Sequence, residues 1–541
     1  MDAVTQPPAP RNEPVNDYAP GTPERDSLEA ALKIVGGNSY ELTTTIGGEQ
    51  RMAGGERVDV VAPHDHQHVL ATMGTATQAD ATAAIEAATE AARPWQEMSF
   101  DDRAQVLLRA ADLLTGPWRD TINAATMLGQ SKTAYQAEIE AACELADFWR
   151  FNVHYARRLL AEQPISTPGV WNRLDHRPLE GFVYAITPFN FTAIAANLPT
   201  APALMGNTVL WKPSPTQGLA AHLTMRLLEA AGMPPGVINL LPGDGRAVSE
   251  VALAHPDLAG IHFTGSSATF QHLWSTVGAN IGNYRTYPRI VGETGGKDFV
   301  VAHSSADPDT LRTALVRGAY DYQGQKCSAA SRAYVARSVW EQVRDDLVEE
   351  TRSLPMGDVT DFSNFMGAVI DKRSFDKLKA AQDRAKATPS LELLAGGNAD
   401  DSVGYFVEPT LFEGTDPYDE AFTTEYFGPM LAVHVYDDEA YADELDVIDK
   451  STAYGLTGAI IADDRAAIDQ ARDALRFTAG NLYVNDKPTG AIVGQQPFGG
   501  GRASGTNDKA GSIMNLQRWV SPRSIKETSV PATTSRYPHQ G

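Results

Sequence analysis

Residues 321–332 read DYQGQKCSAASR, and Cys327 within them is one of only two cysteines in 541 residues. The segment is small and polar, whereas an inert core cysteine belongs in an apolar stripe. A cysteine reacts as its thiolate, which adds to a carbonyl carbon and creates an oxyanion. Lys326, its neighbour, favours that thiolate if its ammonium points the same way. The adduct needs a hydrogen-bond donor for its oxygen, and a thioester derived from it needs a base to activate water. Asn190, in TPFNF (187–191), is a neutral amide donor, and the Cys327 backbone N–H is a second. Glu293, in GETGGK (292–297), is a carboxylate among glycines, free to swing between a water-activating and a resting position. Together they read as nucleophile, oxyanion donor and base.

The elements that must position them alternate between two periodicities. GFVYAIT, NTVLWKP, GVINLLPG and LAGIHFTGS read as short strands apolar on both faces. Between them lie GLAAHLTMRLLEAAG, a helix ending at Gly232 before Pro234 and Pro235, and the helical RAVSEVALAH. Such alternation implies crossover connections and a parallel, doubly wound sheet. A second series starts near Glu293. DTLRTALVRGAYDYQG sets Leu311, Ala314, Leu315, Gly318, Ala319 and Tyr322 on one helical face. RAYVA is a strand, and Ser338 with Glu341 has capping-box spacing at the next helix. The long helix AYQAEIEAACELADFWRFNVHYARRLLAEQ precedes a polar stretch, ISTPGVWNRLDHRPLEG, that reads as a hairpin.

Seven uncommon signals fall in or beside strand ends, where ligands of such sheets bind at carboxyl ends. They are TPFNF, WKPSP (211–215), FTGSS (263–267), GETGGK, GQKCS (324–328), EYFGP (425–429) and PFGG (497–500). In this order and spacing the chain resembles the aldehyde dehydrogenase superfamily from about residue 45 to its end. The phrases QAEI, FNFTAI, APALMGN, YQGQKCSAASR and TGAIVGQQPFGGGRASGTND resemble the Δ1-pyrroline-5-carboxylate dehydrogenases within it. That resemblance implies NAD-dependent oxidation of L-glutamate γ-semialdehyde to L-glutamate in proline breakdown. Aldehyde oxidation through sulfur fits the residues: a thiohemiacetal oxyanion expels hydride, and the resulting thioester is hydrolysed. The resemblance assigns Cys327, Glu293 and Asn190 the roles their chemistry suggests.

No GxGxxG fingerprint is present, but FTGSSATF follows a strand and opens a helix, so Gly265 and Ser266 offer N–H and hydroxyl donors to a pyrophosphate. The resemblance adds Thr187 and Lys212 beside the adenosine half, Glu425 on the nicotinamide ribose and Phe427 along the nicotinamide. Pro215 stands where many NAD-preferring members carry an acid, so the choice between NAD and NADP stays open on the sequence. For the substrate carboxylate the resemblance points to Ser328, Gly490 and Ala491, whose N–H and hydroxyl groups form an anion nest. Phe191 and Phe498 are expected against the methylene chain and Glu144 next to the substrate, though Glu144 also reads as a solvated helix face. No arginine falls in the segments expected at the site mouth.

Composition narrows the alternatives. A hydrophobic fraction of 43% with 21% charged residues is ordinary for a soluble globular chain, and a formal charge of −23 argues against nucleic acid or anionic membrane as a partner. Residues 181–211 carry no charge, yet Pro188, Pro199 and Pro202 interrupt any single helix, so they read as buried core rather than a membrane span. Cys143, near Ala142, Ala146 and Trp149, reads as core packing. His64, His66 and His68 in HDHQH read as a surface hairpin turn, and no metal is expected. Two unpaired cysteines suit a reducing cytoplasm. A cysteine hydrolase would share Cys327 and Asn190, but no histidine falls in a partner motif and the strand–GS–helix element would be idle. A non-catalytic relative would have no need of Cys327, Glu293 and Asn190 together.

The expected architecture is α/β. It has an N-terminal arm (1–44), extended over the surface or frayed; a Rossmann-like cofactor domain (45–163 and 179–292); a catalytic domain (293–504); and a β oligomerisation flap (164–178 and 505–541). The resemblance implies a homodimer or higher oligomer. The length leaves no room for a fused proline dehydrogenase, which is a possible separate partner.

Overall fold

Phe182–Thr187, Thr208–Pro213, Ile238–Leu240, Leu258–Thr264 and Arg289–Glu293 pair in parallel as the body of a seven-stranded sheet. This computed structural model describes residues 5–541; residues 1–4 of the expected arm lie outside the described residues. From one edge the strands run Arg289–Glu293, Leu258–Thr264, Phe182–Thr187, Thr208–Pro213 and Ile238–Leu240. The antiparallel Thr44–Ile46 and Glu49–Arg51 complete it. Successive side chains of the second of these parallel strands in chain order pack on opposite faces. Val209 and Trp211 enter a core with Leu198 and Leu227, while Leu210 joins Ile85, Val248 and Leu273. Helices cover both faces, which is why these strands read as unbroken apolar runs.

A second seven-stranded sheet runs Leu391–Ala395, Thr410–Gly414, Met430–Tyr436, Ala330–Ala336, Asp298–Ala302, Thr457–Ile461 and Asn481–Val484. All its pairings are parallel except that of the first strand, an antiparallel edge. Phe299, Val301, Val335, Leu431 and Ile460 form its core with the helices Pro308–Tyr320, Arg337–Ser353 and Lys372–Ala387. No helix among the described residues is long and apolar enough to cross a membrane.

Several local expectations give way to contacts from remote segments. The helix Thr192–Leu204 runs through Pro199 and Pro202 instead of stopping at them. Pro202 lacks the N–H that would bond the Leu198 carbonyl, and the His262 imidazole takes that carbonyl at 2.9 Å. The helix expected to reach Tyr322 ends at Tyr320, and Tyr322 is left-handed rather than on the helical face. The long helix before residue 165 is interrupted by a π turn, Glu138–Cys143. The polar stretch after it is no local hairpin: Val170–Pro178 pairs antiparallel with Val520–Thr528 near the C-terminus.

The arm is more than an extended or frayed tail. It contains the helix Pro23–Gly37 and the strand Tyr40–Leu42, and its first part is tied to the π-turn region. Tyr18 donates to Glu138 Oε2 at 2.7 Å, Glu13 pairs with Arg119 and Arg150, and Asn12 donates to Asp147 and the Val493 carbonyl. Cys143 therefore sits within 3.6 Å of Glu138 and the Pro14 carbonyl rather than in apolar packing alone. The three histidines take different partners: His64 contacts Ser131, His66 the Asp401 carbonyl and His68 the Gly36 carbonyl. His64 is buried, so this turn is not wholly a surface one.

Ser338 and Glu341 do not form a capping box. The helix opens at Arg337 after Ala336, and the Asp438 carboxylate accepts the Ser338 N–H at 3.1 Å. Asp438→Ala is therefore expected to cost about 1 kcal/mol in a denaturant titration, as loss of an N-terminal cap does. Ser338→Ala should stay within about 0.5 kcal/mol. The reverse order would restore the local cap.

Candidate active site

Residues of both sheets meet in one cleft, but by opposite ends. Glu293 closes the strand Arg289–Glu293, and Asn190 and Phe191 follow Phe182–Thr187, so the first sheet contributes carboxyl ends. Cys327 and Ser328 precede Ala330–Ala336, Glu425 precedes Met430–Tyr436, and Asp298 opens Asp298–Ala302. The second sheet thus presents amino ends, where carboxyl ends were expected.

Backbone conformation sets the position of Cys327. Tyr322, Gln323 and Gly324 are all left-handed, with φ of 52°, 55° and 63°. For non-glycine residues this conformation persists only where surroundings hold it. Gln323 Nε2 donates to the carbonyls of Ser131 and Ala368, and its Oε1 accepts from the Gly367 N–H, at 2.7–3.0 Å. Gln325 Oε1 accepts from the Ile370 N–H at 2.9 Å. A side chain at 324 would run into the Gly428 carbonyl.

Electrostatics around the thiol are unfavourable to charge. Burial pushes the Cys327 thiol well up, and Asp298, Glu293 and Glu425 push it further; its own backbone N–H acts the other way. Lys326 does not turn to the sulfur: its ammonium lies 3.6 Å from Asp321. Asn190 donates to the Gln325 carbonyl at 3.1 Å, which joins its loop to the cysteine loop. Glu293 is not loose among its glycines. Its Oε2 accepts the Gly500 N–H at 3.1 Å, and its carbonyl accepts that of Gly265. Burial pushes its carboxyl to about 8, against Gly500 and Lys509 and with Asp508.

On the side expected for the cofactor, Glu425 Oε1 accepts the Gly296 N–H at 3.0 Å, and burial lifts its carboxyl to about 7. A side chain at 295 would collide with this carboxylate. Phe427 is left-handed at φ 58° and meets Phe189 edge-on. Thr187 accepts from the Trp211 indole at 3.0 Å, and the buried Lys212 ammonium is lowered to about 8 by desolvation, opposed by Asp244. Gly265 is not a free donor, since its N–H serves Glu293; the Ser266 hydroxyl accepts the Thr269 N–H as helix cap and keeps its own hydrogen to donate. The first-turn N–H groups of the helix Ser267–Ala279 remain the anion donors there.

A cavity of about 1170 Å³ opens on the other side of Cys327. Ser328, Phe191, Phe498, Gly490, Ala491 and Glu144 all line it, as does Glu293; Asn190 lies behind its wall, 3% exposed. Ser328 Oγ lies 2.8 Å from Thr489 Oγ1, and Gly490 is left-handed at φ 94°. Neither the Gly490 nor the Ala491 N–H donates to an acceptor among the described residues. Glu144 is not a solvated face: burial, Glu140 and Asp147 raise its carboxyl well above the usual range, while Lys132 and Lys326 oppose this. Two arginines outside the segments expected around the site, Arg25 and Arg317, also line the cavity. Also unanticipated are arm residues between Asn12 and Pro20 in the wall and the buried Lys132–Glu140 pair, which no local pattern in the sequence marks as buried.

The two thiols are expected to differ in reactivity. Both cysteines line the cavity, but Cys143 is buried at 5% exposure and Cys327 is only half-buried, so iodoacetamide should alkylate Cys327 before Cys143. Because its thiol is raised, the rate should still be climbing above pH 9 without cofactor. Peptide mass mapping against time and pH reads both. A plateau below pH 8, or Cys143 labelled first, would contradict this electrostatic picture.

Comparison with known proteins agrees with this geometry. The aldehyde dehydrogenase family model matches residues 51–525. A probable delta-1-pyrroline-5-carboxylate dehydrogenase of Schizosaccharomyces pombe is 49% identical over 98% of each chain. The mitochondrial delta-1-pyrroline-5-carboxylate dehydrogenase of Bos taurus is also 49% identical, over 98% of this chain and 94% of its own. The Mycobacterium tuberculosis Delta-pyrroline-5-carboxylate dehydrogenase, in a crystal structure bound with NAD, is 64% identical over all of both chains, with a TM-score of 0.97. The chain described here belongs to the aldehyde dehydrogenase family.

Proposed function

We propose that this protein oxidises L-glutamate γ-semialdehyde, the open form of Δ1-pyrroline-5-carboxylate, to L-glutamate, with NAD as its cofactor. The observation that carries the reading is one cavity lined by a thiol, a carboxyl base and two backbone N–H groups without intramolecular acceptors. Relatives with closely similar sequences bear the name of this activity.

Cys327 attacks the aldehyde carbon as its thiolate, giving a thiohemiacetal. Asn190 and the Cys327 N–H stabilise the oxyanion, Asn190 exchanging its present bond to Gln325 for it. Collapse of the oxyanion expels hydride and leaves a thioester on sulfur. Glu293, once ionised, removes a proton from water, which hydrolyses the thioester to the acid and frees the thiol. NAD, when bound, accepts the hydride. The residues fit it: first-turn N–H groups of Ser267–Ala279 for pyrophosphate, Lys212 and Thr187 on the adenosine side, Glu425 for ribose hydroxyls and Phe427 along the nicotinamide. At the far end of the cavity Ser328, Gly490 and Ala491 take the α-carboxylate, Phe191 and Phe498 flank the methylenes, and Glu144 faces the α-ammonium.

The antiparallel ribbon of Val170–Pro178 and Val520–Thr528 exposes Trp171, with Ile165 and Val530 also exposed beyond the same end, which supports a homodimer or higher assembly. Proline oxidation produces this aldehyde, so a proline dehydrogenase is the proposed source of substrate. Two free thiols support a reducing compartment, here the cytoplasm.

Absorbance at 340 nm with glutamate semialdehyde, propanal and acetaldehyde tests the reaction and its substrate together. Cys327→Ala should fold yet lose turnover by about three orders of magnitude or more. Glu293→Gln should give one burst of NADH and then stall as a trapped thioester. In the unmodified enzyme deacylation should rise with pH toward about 8, because Glu293 must lose its proton to act. A flat profile would remove it as the base.

Ser328→Ala and Ala491→Pro, the latter deleting an N–H, should raise KM for glutamate semialdehyde by about tenfold or more while leaving propanal within about threefold. An equal loss on both aldehydes, or propanal as the better substrate of the unmodified enzyme, would reject the carboxylate anchor.

A further inference from the structure

One buried ammonium touches the two segments that must be held at a fixed separation for the reaction. Lys132 follows the helix Arg119–Gln130 and its left-handed Ser131, and its side chain has no exposure. Its Nζ lies 2.7 Å from Glu140 Oε1, 4.2 Å from the centre of the Phe191 ring and 4.3 Å from that of Tyr322. Phe191 follows Asn190 directly. Tyr322 belongs to the left-handed turn that leads into Cys327. Glu140 lies in the π turn, and its Oε2 accepts the Ala193 N–H at 3.4 Å, in the first turn of the helix Thr192–Leu204. That helix has no side-chain cap of its own, since Phe191 occupies the cap position.

No step of the reaction uses Lys132. Burying an ammonium is expensive unless it is paired, and a methionine would fill the same volume without a charge. The charge does what a methionine cannot: it is attracted to the faces of two aromatic rings at once, and most strongly where water is excluded. Ser131 is bound from the same side, its carbonyl accepting from Gln323 and its hydroxyl bonding the Ala368 N–H. The nucleophile turn is thereby fastened to the end of the helix that carries Lys132.

We propose that Lys132 is a positioning residue that clamps the Asn190–Phe191 segment to the turn carrying Cys327, and so sets the separation of oxyanion donor and nucleophile. The proposal rests on the roles given above to Asn190 and Cys327, but not on which aldehyde is the substrate. A displacement of about 1 Å at a reacting centre costs about a hundredfold in rate. Lys132→Met, which keeps volume and removes charge, should therefore lower the NADH burst rate about 10- to 100-fold on glutamate semialdehyde and propanal alike. KM for NAD should stay within about threefold, because no cofactor residue is touched.

Two readouts separate positioning from a merely structural role. Acylation of Cys327 by p-nitrophenyl acetate needs the same oxyanion donors but neither NAD nor an aldehyde, and it should fall by a similar factor. If the unmodified enzyme oxidised neither aldehyde, the functional reading would fail while this measurement still tested the clamp. Combined with Asn190→Ala, Lys132→Met should add less than about threefold further loss, since both act on one oxyanion. If Lys132→Met does not fold, Tyr322→Leu removes one ring, leaves the ion pair, and should show the same pattern at about tenfold. Full additivity with Asn190→Ala, ester acylation within about threefold of the unmodified enzyme, or a loss confined to glutamate semialdehyde would each overturn the proposal.

Discussion

Cys327 shares a desolvated cleft with Glu293, Glu425 and Asp298, and burial pushes all three carboxyl groups toward their neutral forms. Their mutual arrangement limits how much negative charge the site carries at once. A thiolate formed beside ionised carboxylates would be opposed by each, and this opposition adds to the burial that is the first cause of the raised thiol. The same burial supplies the remedy, since a neutral Glu293 neither repels the thiolate nor competes with the aldehyde for donors. Its ionisation is needed only later, when the sulfur is acylated and no longer anionic. Nucleophile and base can thus occupy one dry cleft because their charged forms belong to different steps of the proposed reaction.

Two sheets facing by opposite ends make such crowding possible. Each strand end supplies a loop of few residues, and a cleft between carboxyl ends and amino ends receives loops from both. Gly499 and Gly500 let a loop of the C-terminal segment cross Glu293 closely enough for the Gly500 N–H to hold it, and Gly295 gives way to Glu425. Each of these two carboxylates therefore accepts a backbone N–H.

The parallel sheets were legible because strands buried on both faces must be apolar throughout, and their punctuation by glycine and proline is local. Cys327 and Glu293 were legible as candidates because their chemistry lies in residue type, and Ser328, Gly490 and Ala491 because the order of seven motifs carries a family resemblance; all five line one cavity. What escaped depends on partners far along the chain. Pro202 is tolerated because His262 takes the carbonyl it strands. Tyr322 leaves the helical face because Gln323 is held by Ser131 and Ala368. Asp438 replaces a capping box that the local spacing of Ser338 and Glu341 fully permitted. A free donor was assigned to Gly265 because a strand–turn–helix pattern does not reveal that its N–H already serves the Glu293 carbonyl.

The π turn shows how the molecule accommodates acids that a regular helix would set against one another. Glu140 and Glu144 are four residues apart, a spacing at which like charges repel, and Glu140 does raise the Glu144 carboxyl. The three glutamates of this region take separate environments. Glu138 goes to Arg119, Asn123 and Tyr18 of the arm, Glu140 to Lys132, and Glu144 to the cavity. Only Glu144 keeps no ion-pair partner within the chain among the described residues. An acid so placed, raised by burial and lining one cavity with two N–H groups that also await a partner, is suited to a zwitterion: it gains a cation where the nest gains an anion. A short neutral aldehyde satisfies neither end. On this argument the proposed preference for an amino-acid aldehyde comes from two unsatisfied groups of opposite character that meet the ammonium and carboxylate of one carbon, with the methylene chain setting the distance from that carbon to Cys327, and not from any single strong contact.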